Sequence, residues 1–180
     1  QTRIEDLRPY AMSIIGMLQD LASTPAQTTG FPIMEVHESV DDVTLVVFTG
    51  DRGLAGAFNA NVVRQALESA RVAEAAARSV RWMVVGKRGV GTLRFRGVEL
   101  DGEWTGLSDR PGYTHAADIA RRLIDLYTSH QTDEVHLIYN RFRSPLEQTV
   151  KDVVRLPITA EAVRAEEREA RVGDYIYEPG

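Results

Sequence analysis

Two glycine-rich stretches are the first places where this sequence offers chemistry. Gly50-Asp51-Arg52-Gly53-Leu54-Ala55-Gly56 follows an apolar, β-branched run and precedes a helical pattern. A strand, a glycine turn and a helix N-terminus can cradle phosphate, because free amides and the helix dipole point at the ligand. The spacing here is Gly-x-x-Gly-x-x-Gly, not the dinucleotide Gly-x-Gly-x-x-Gly. The turn also runs on into Ala57-Phe58, where a P-loop needs Lys and then Ser or Thr. The competing reading is a tight turn whose glycines permit positive φ and close helix–sheet packing. Gly86-Lys87-Arg88-Gly89-Val90-Gly91 repeats the layout after a second apolar run. Its two cations would suit an anion or would simply be solvated.

The remaining chemistry-bearing residues form no pattern along the chain. His37, His115, His130 and His136 share no metal-ligand spacing and have no local acidic dyad. His136 falls inside a strand pattern and reads as a packed or interface residue. No zinc-protease helix motif and no nucleophile elbow occurs. Carboxylates are scattered, so no acid–base pair stands out. Asn59 and Asn61 flank a helix start, where capping or turn hydrogen bonds account for them. There is no cysteine, which excludes disulfides, thiolate metal sites and a cysteine nucleophile. These residues imply no catalytic group, no cofactor and no metal.

Several elements must position these residues. Val43 to Thr49 reads as a buried strand. A helix from about Ala57 to Ser79 would turn Val62, Ala66, Ala70, Ala73 and Ala77 inward. Arg81 to Val85 reads as a second strand, and Val98 to Trp104 as a short third. After a break at Pro111-Gly112, a helix to about Ser129 would bury Ala116, Ile119, Ala120, Leu123 and Tyr127, with an Asp118–Arg122 pair outside. Asp133 to Asn140 and Thr149 to Pro157 complete the strands. Strands alternating with helices predict an α/β fold with a mainly parallel sheet.

Composition bounds the rest. The 180 residues suffice for one domain with a real core. A net charge of −5 argues against coating nucleic acid. The apolar runs are far shorter than the ~20 residues of a membrane span. Ile4, Leu7, Ala11, Ile14, Leu18 and Leu21 are spaced 3, 4, 3, 4, 3, the seam of a heptad. Pro9 interrupts it and predicts a kink. The pattern alone favours an amphipathic helix packed on its own domain; the sharper reading is one strand of a coiled coil whose partner lies elsewhere.

The stretch Val47-Phe48-Thr49-Gly50-Asp51-Arg52-Gly53-Leu54-Ala55-Gly56-Ala57-Phe58-Asn59-Ala60-Asn61 resembles the gamma subunit family of F-type ATP synthases. Arg8-Pro9-Tyr10, Val84-Val85-Gly86-Lys87-Arg88-Gly89 and Ile138-Tyr139-Asn140-Arg141-Phe142-Arg143-Ser144 agree in order. Gln148 and Leu156-Pro157 follow as further landmarks, so the resemblance covers nearly the whole chain. Many members of the family carry Cys where Ala55 stands.

The resemblance implies a central rotor that couples rotation of a membrane c-ring to ATP synthesis or hydrolysis on the beta subunits, without catalytic residues of its own. It implies a Rossmann-like three-layer sandwich over 25–180 and, over 1–24, the protruding end of an N-terminal shaft helix. The chain would then be a central-domain piece lacking most of both coiled-coil helices, with Gln1 and Gly180 as its cut ends, and an exposed seam could self-associate. Implied partners are the alpha and beta subunits, epsilon and the c-ring. The implied location is the cytoplasmic face of the bacterial plasma membrane, or the equivalent organelle membrane, without membrane insertion. Asn140, Arg141, Phe142 and Arg143, placed after a strand end, would form the foot contacts with the c-ring and epsilon. Asp51, Arg52, Gly53, Gly56, Asn59 and Asn61 mark the family turn. Two other readings of the residues are a phosphate- or nucleotide-binding enzyme using the Gly50–Gly56 and Gly86–Gly91 turns, and a partner-binding module with a helical arm.

Overall fold

Alternation along the strands assigns each side chain to one of two cores. In strand β1 (Asp42–Phe48), Val43, Leu45 and Val47 face one side of the sheet, while Val46 and Phe48 face the other. The computed structural model describes residues 16, 32–52, 57–106, 113–144 and 147–158, with backbone alone at 113–115, 142–144 and 147. The Ile4–Leu21 seam, Gly53 and Gly56 lie outside the described residues.

β1 is followed by helix α1 (Phe58–Ala75), strand β2 (Ser79–Val85), helix α2 (Lys87–Phe95), strand β3 (Gly102–Trp104), helix α3 (Tyr113–Thr128), and strands β4 (Glu134–Ser144) and β5 (Glu147–Leu156). The strands form one five-stranded sheet in the order β3-β2-β1-β4-β5. β1 pairs in parallel with β2 and β4, and β2 with β3, while β5 runs antiparallel to β4. The fold is therefore α/β with a mixed sheet, parallel except at one edge.

The two faces are covered differently. α1 and α2 bury Val62, Ala66, Ala70, Ala73, Val90 and Leu93 against Leu45, Val47, Trp82 and Val84. α3 buries Ala116, Ile119, Ala120, Leu123 and Tyr127 against Val46, Phe48, Met83 and Leu137. Ile33 and Ile158 join this second core from outside the sheet. The small residues of α1 let its backbone approach the strands closely.

Several expectations need correction. α1 stops at Ala75, and Ser79 already belongs to β2. Ala77 does not face inward: it is exposed with φ +60, where the backbone reverses after the helix. The Gly86–Gly91 stretch is not a turn; from Lys87 it is the first turn of α2, and packing of Val90 and Leu93 overrides the low helix propensity of its glycines. The third strand is confined to 102–104, because Val98 closes the end of α2 through the carbonyl of Leu93. Arg122 does not lie against Asp118; it donates to the carbonyl of Asp101 and sits 5.8 Å from the Trp104 ring centroid. Asn140–Arg143 do not follow a strand end. β4 continues through Ser144, and Asn140, Arg141 and Phe142 pair with Val150, Thr149 and Gln148 of β5.

The helices α1, α2 and α3 end alike. The amides of Arg78, Val98 and Gln131 donate to the carbonyls of Ala73, Leu93 and Leu126, while Ala77, Gly97 and His130 donate to Glu74, Arg94 and Tyr127. This is the Schellman pattern, whose penultimate residue takes positive φ. Here φ is +60 at Ala77, +80 at Gly97 and +60 at His130.

Candidate functional site

The chain crosses from one side of β1 to the other after β3, so the switch point of the topology lies between β1 and β4. In open α/β sheets, ligands and partners meet the fold at the carboxyl ends of such strands. Both family-like stretches converge there. Thr49–Arg52 continues from β1, and Asn140–Arg141 continues β4 past its last pairing with β1, Val47 with Ile138.

The glycine turns are closed by the chain itself. The four amides that open α2 all have internal acceptors. Lys87 N donates to Asp51 Oδ1 at 2.9 Å and Arg88 N to the Gly50 carbonyl at 3.1 Å. Gly89 N donates to Thr49 Oγ1 at 2.9 Å and Val90 N to the Gly86 carbonyl at 3.1 Å. Thr49 in turn donates its hydroxyl to the Val85 carbonyl at 2.7 Å. An anion at this helix start would have to displace the Asp51 carboxylate from its own amide. The arrangement is a buckle between the β1 and β2 turns, and it leaves a phosphate no free backbone amide at Lys87–Val90, the start of α2.

Gly86 is required for the buckle. Its φ is +97, and a Cβ there would lie 2.0 Å from the Thr49 carbonyl oxygen. Asn59 completes the turn, accepting from Gly50 N at 3.0 Å and donating to the Arg52 carbonyl at 3.3 Å. It acts through turn hydrogen bonds, as expected. Among the described residues, Asn61 accepts from Arg64 on its own helix face, and Ala57, not an asparagine, occupies the cap of α1.

On β4, Asn140 is buried and its amide approaches Gln148 Oε1 at 3.4 Å, while Arg141 is half-buried. The β4–β5 ladder thus holds the Asn140–Arg143 backbone as part of the sheet.

The histidines form acidic pairings that their spacing hid. His136 is bracketed by Asp152 at Nδ1, 2.7 Å away, and Glu134 at Nε2. Burial alone would lower its pKa. The hydrogen bonds that the charged ring donates to both carboxylates outweigh burial and raise it to about 9. His37 Nδ1 lies 2.8 Å from Asp133 Oδ1. Asp152 and Asp133 come from other elements, so no local spacing could have found these partners. Only the Glu134-x-His136 alternation on one strand face was legible.

A profile of the ATP synthase family matches residues 1–180. The chain is 35% identical over 179 residues to the ATP synthase gamma chain of Maridesulfovibrio salexigens, covering 99% of this chain and 61% of that one. It is 37% identical over 183 residues to the gamma chain of Nitratidesulfovibrio vulgaris, with the same coverage. The chain belongs to the ATP synthase gamma-chain family. It spans about 61% of the length of these gamma relatives. Its fold is shared with the central stalk and c-ring structure of the Tetrahymena thermophila mitochondrial ATP synthase, at a TM-score of 0.55 and 23% identity over 83% of this chain and 71% of that one. A Euglena gracilis mitochondrial ATP synthase rotor matches at a TM-score of 0.51 and 15% identity, over 90% and 57% of the two chains. No described helix of this gamma-family chain is long and apolar enough to cross a membrane.

Proposed function

We propose that this chain acts as part of the central rotor of an F-type ATP synthase, transmitting torque between a membrane c-ring and the catalytic beta subunits. The observation that carries this reading is the backbone hydrogen bond from Ile158 N to the Ile33 carbonyl at 2.8 Å. The segment arriving before β1 and the segment leaving after β5 are tied side by side at one end of the sheet. Two antiparallel shaft helices rooted there would rotate with the domain as one body. In this reading residues 1–24 end the N-terminal shaft helix, which protrudes with its Ile4–Leu21 seam toward a partner helix. Residues 25–180 form a Rossmann-like three-layer domain. An uncovered seam would let the isolated chain pair with itself.

The chain supplies no catalysis of its own in this reading, and the closed amides at Lys87–Val90 support it over a phosphate-binding enzyme. Asn140, Arg141, Phe142 and Arg143 contact the c-ring or epsilon, and the shaft contacts alpha and beta. Attachment to the cytoplasmic face of the membrane runs through the c-ring.

The test is rotation itself. These 180 residues lack cysteine, so Val72→Cys on the exposed side of α1 gives a single labelling site within them, any cysteine elsewhere in the subunit being replaced by serine. The full-length labelled subunit, assembled with alpha, beta and epsilon on an immobilised head, should rotate stepwise on ATP addition. A stationary label during ATP hydrolysis would overturn the reading.

A further inference from the structure

At the sheet end opposite the motif turns, His37 from the segment before β1 meets His130 and Asp133 from the connection between α3 and β4. One ligand atom from each lies within 4.8 Å of the other two. His37 precedes β1, His130 closes α3, and Asp133 immediately precedes β4.

Each is held for an evident reason. Asp133 accepts the amides of Asp41 and Asp42 on Oδ2, both at 3.0 Å, and faces His37 Nδ1 with Oδ1. The His37 side chain is only 4% exposed. Its ring is stacked between Tyr127, 4.2 Å away, and His130, 4.1 Å away. His130 occupies the positive-φ position that ends α3, where glycine would be least strained. That placement turns an exposed imidazole back over a buried one.

We propose that His37, His130 and Asp133 bind a borderline divalent transition-metal ion such as Zn²⁺. Two imidazoles and a carboxylate without thiolate suit zinc, nickel or copper, whereas calcium and magnesium favour all-oxygen sets. The ion takes the place of the hydrogen between His37 Nδ1 and Asp133 Oδ1. A tetrahedral ion with bonds of about 2.0–2.1 Å holds its ligands about 3.3 Å apart, close to that existing edge. The exposed His130 ring closes the remaining gap by turning off the face of His37, and water fills the fourth position. The bound ion cross-links the segment before β1 to the connection between α3 and β4.

The experiment is a Zn²⁺ titration of the full-length, tag-free chain by calorimetry, with Co²⁺ absorption as a report on ligand geometry. The expected result is one ion per chain, a metal-dependent rise in Tm, and cobalt d–d bands of a nitrogen–oxygen site. His130→Asn keeps a residue tolerant of the left-handed backbone, so its metal-free Tm should match the parent while its affinity falls roughly tenfold or more. His115→Gln should bind as the parent does. His37→Gln should also lose the ion; if that variant does not fold, His130→Asn still decides. Absence of saturable one-to-one binding, or equal affinity in His130→Asn and the parent, would overturn the proposal.

Discussion

The amide of Ile158 donates to the carbonyl of Ile33 across 2.8 Å, and both side chains enter the core beneath α3 at 6% and 5% exposure. Neither residue belongs to the sheet, yet both are packed as its strands are. If the pair anchors the incoming and outgoing segments, Ile33→Ala should cost about 2–4 kcal/mol, as for other core truncations. Urea unfolding of the purified chain measures it, and a loss below about 1 kcal/mol would show that the segment is only loosely held.

The buckle between the two motif turns predicts opposite outcomes for two nearby glycines. Gly86→Ala places a Cβ 2.0 Å from the Thr49 carbonyl oxygen at a φ of +97, and should destabilise by about 3 kcal/mol or fail to fold. Gly91→Ala meets nothing within 4 Å inside a helix, and should stabilise by about 0.5–1 kcal/mol. Thermal unfolding of the pair checks both signs.

His136 should give stability a pH dependence on the alkaline side. Its neighbours are Glu134 on its own strand and Asp152 on β5, with Ser69 of α1 bonded to Asp152 and Arg78 acting on Glu134. Its folded pKa of about 9 lies above the ordinary 6.5. The stabilisation is therefore complete below about pH 6.5 and is lost as pH rises through about 9. The two carboxylates are shifted the other way. His136 bonds first among the causes at Glu134, and at Asp152 bonds from His136 and Ser69 overcoming burial, hold both below their usual range. Their contribution is lost as pH falls below their unfolded values near 4. His136→Gln should remove the alkaline slope and destabilise by roughly 2 kcal/mol at pH 6. Denaturant midpoints across pH 5–10, in parent and variant, test the sign.

The foot assignment predicts a separation of folding from docking. Arg141→Glu together with Arg143→Glu should weaken binding of the full-length chain to c-ring or epsilon roughly tenfold or more, with Tm changed little. Binding to reconstituted c-ring and epsilon, measured beside thermal unfolding, checks it. Unchanged affinity in a folded variant would remove these arginines from the interface.

Much of the fold was legible because apolar periodicity is a local property. The burial of Val62, Ala66, Ala70 and Ala73 in α1, and of Ala116 through Tyr127 in α3, follows from helical spacing. Errors fell where local propensity lost to contacts. Glycines concealed α2, whose start is built by Asp51 and Thr49 from another turn. Alternation in β4 did not reveal that the strand runs on through Arg143, since only pairing with β5 sustains it.

By itself, the sequence determined the α/β class, the membership carried by the Thr49–Asn61 and Ile138–Ser144 stretches, and the absence of cysteine chemistry. These are matters of residue type and short-range order along one chain. Tertiary structure decided which amides of the turns are already bonded, which histidines meet carboxylates, and which segments beside the sheet meet each other. Those depend on groups far apart in sequence, such as Asp51 with Lys87, His37 with Asp133 and Ile33 with Ile158. A hydrogen bond between distant residues leaves no periodic trace, so only the folded backbone can bring its donor to its acceptor.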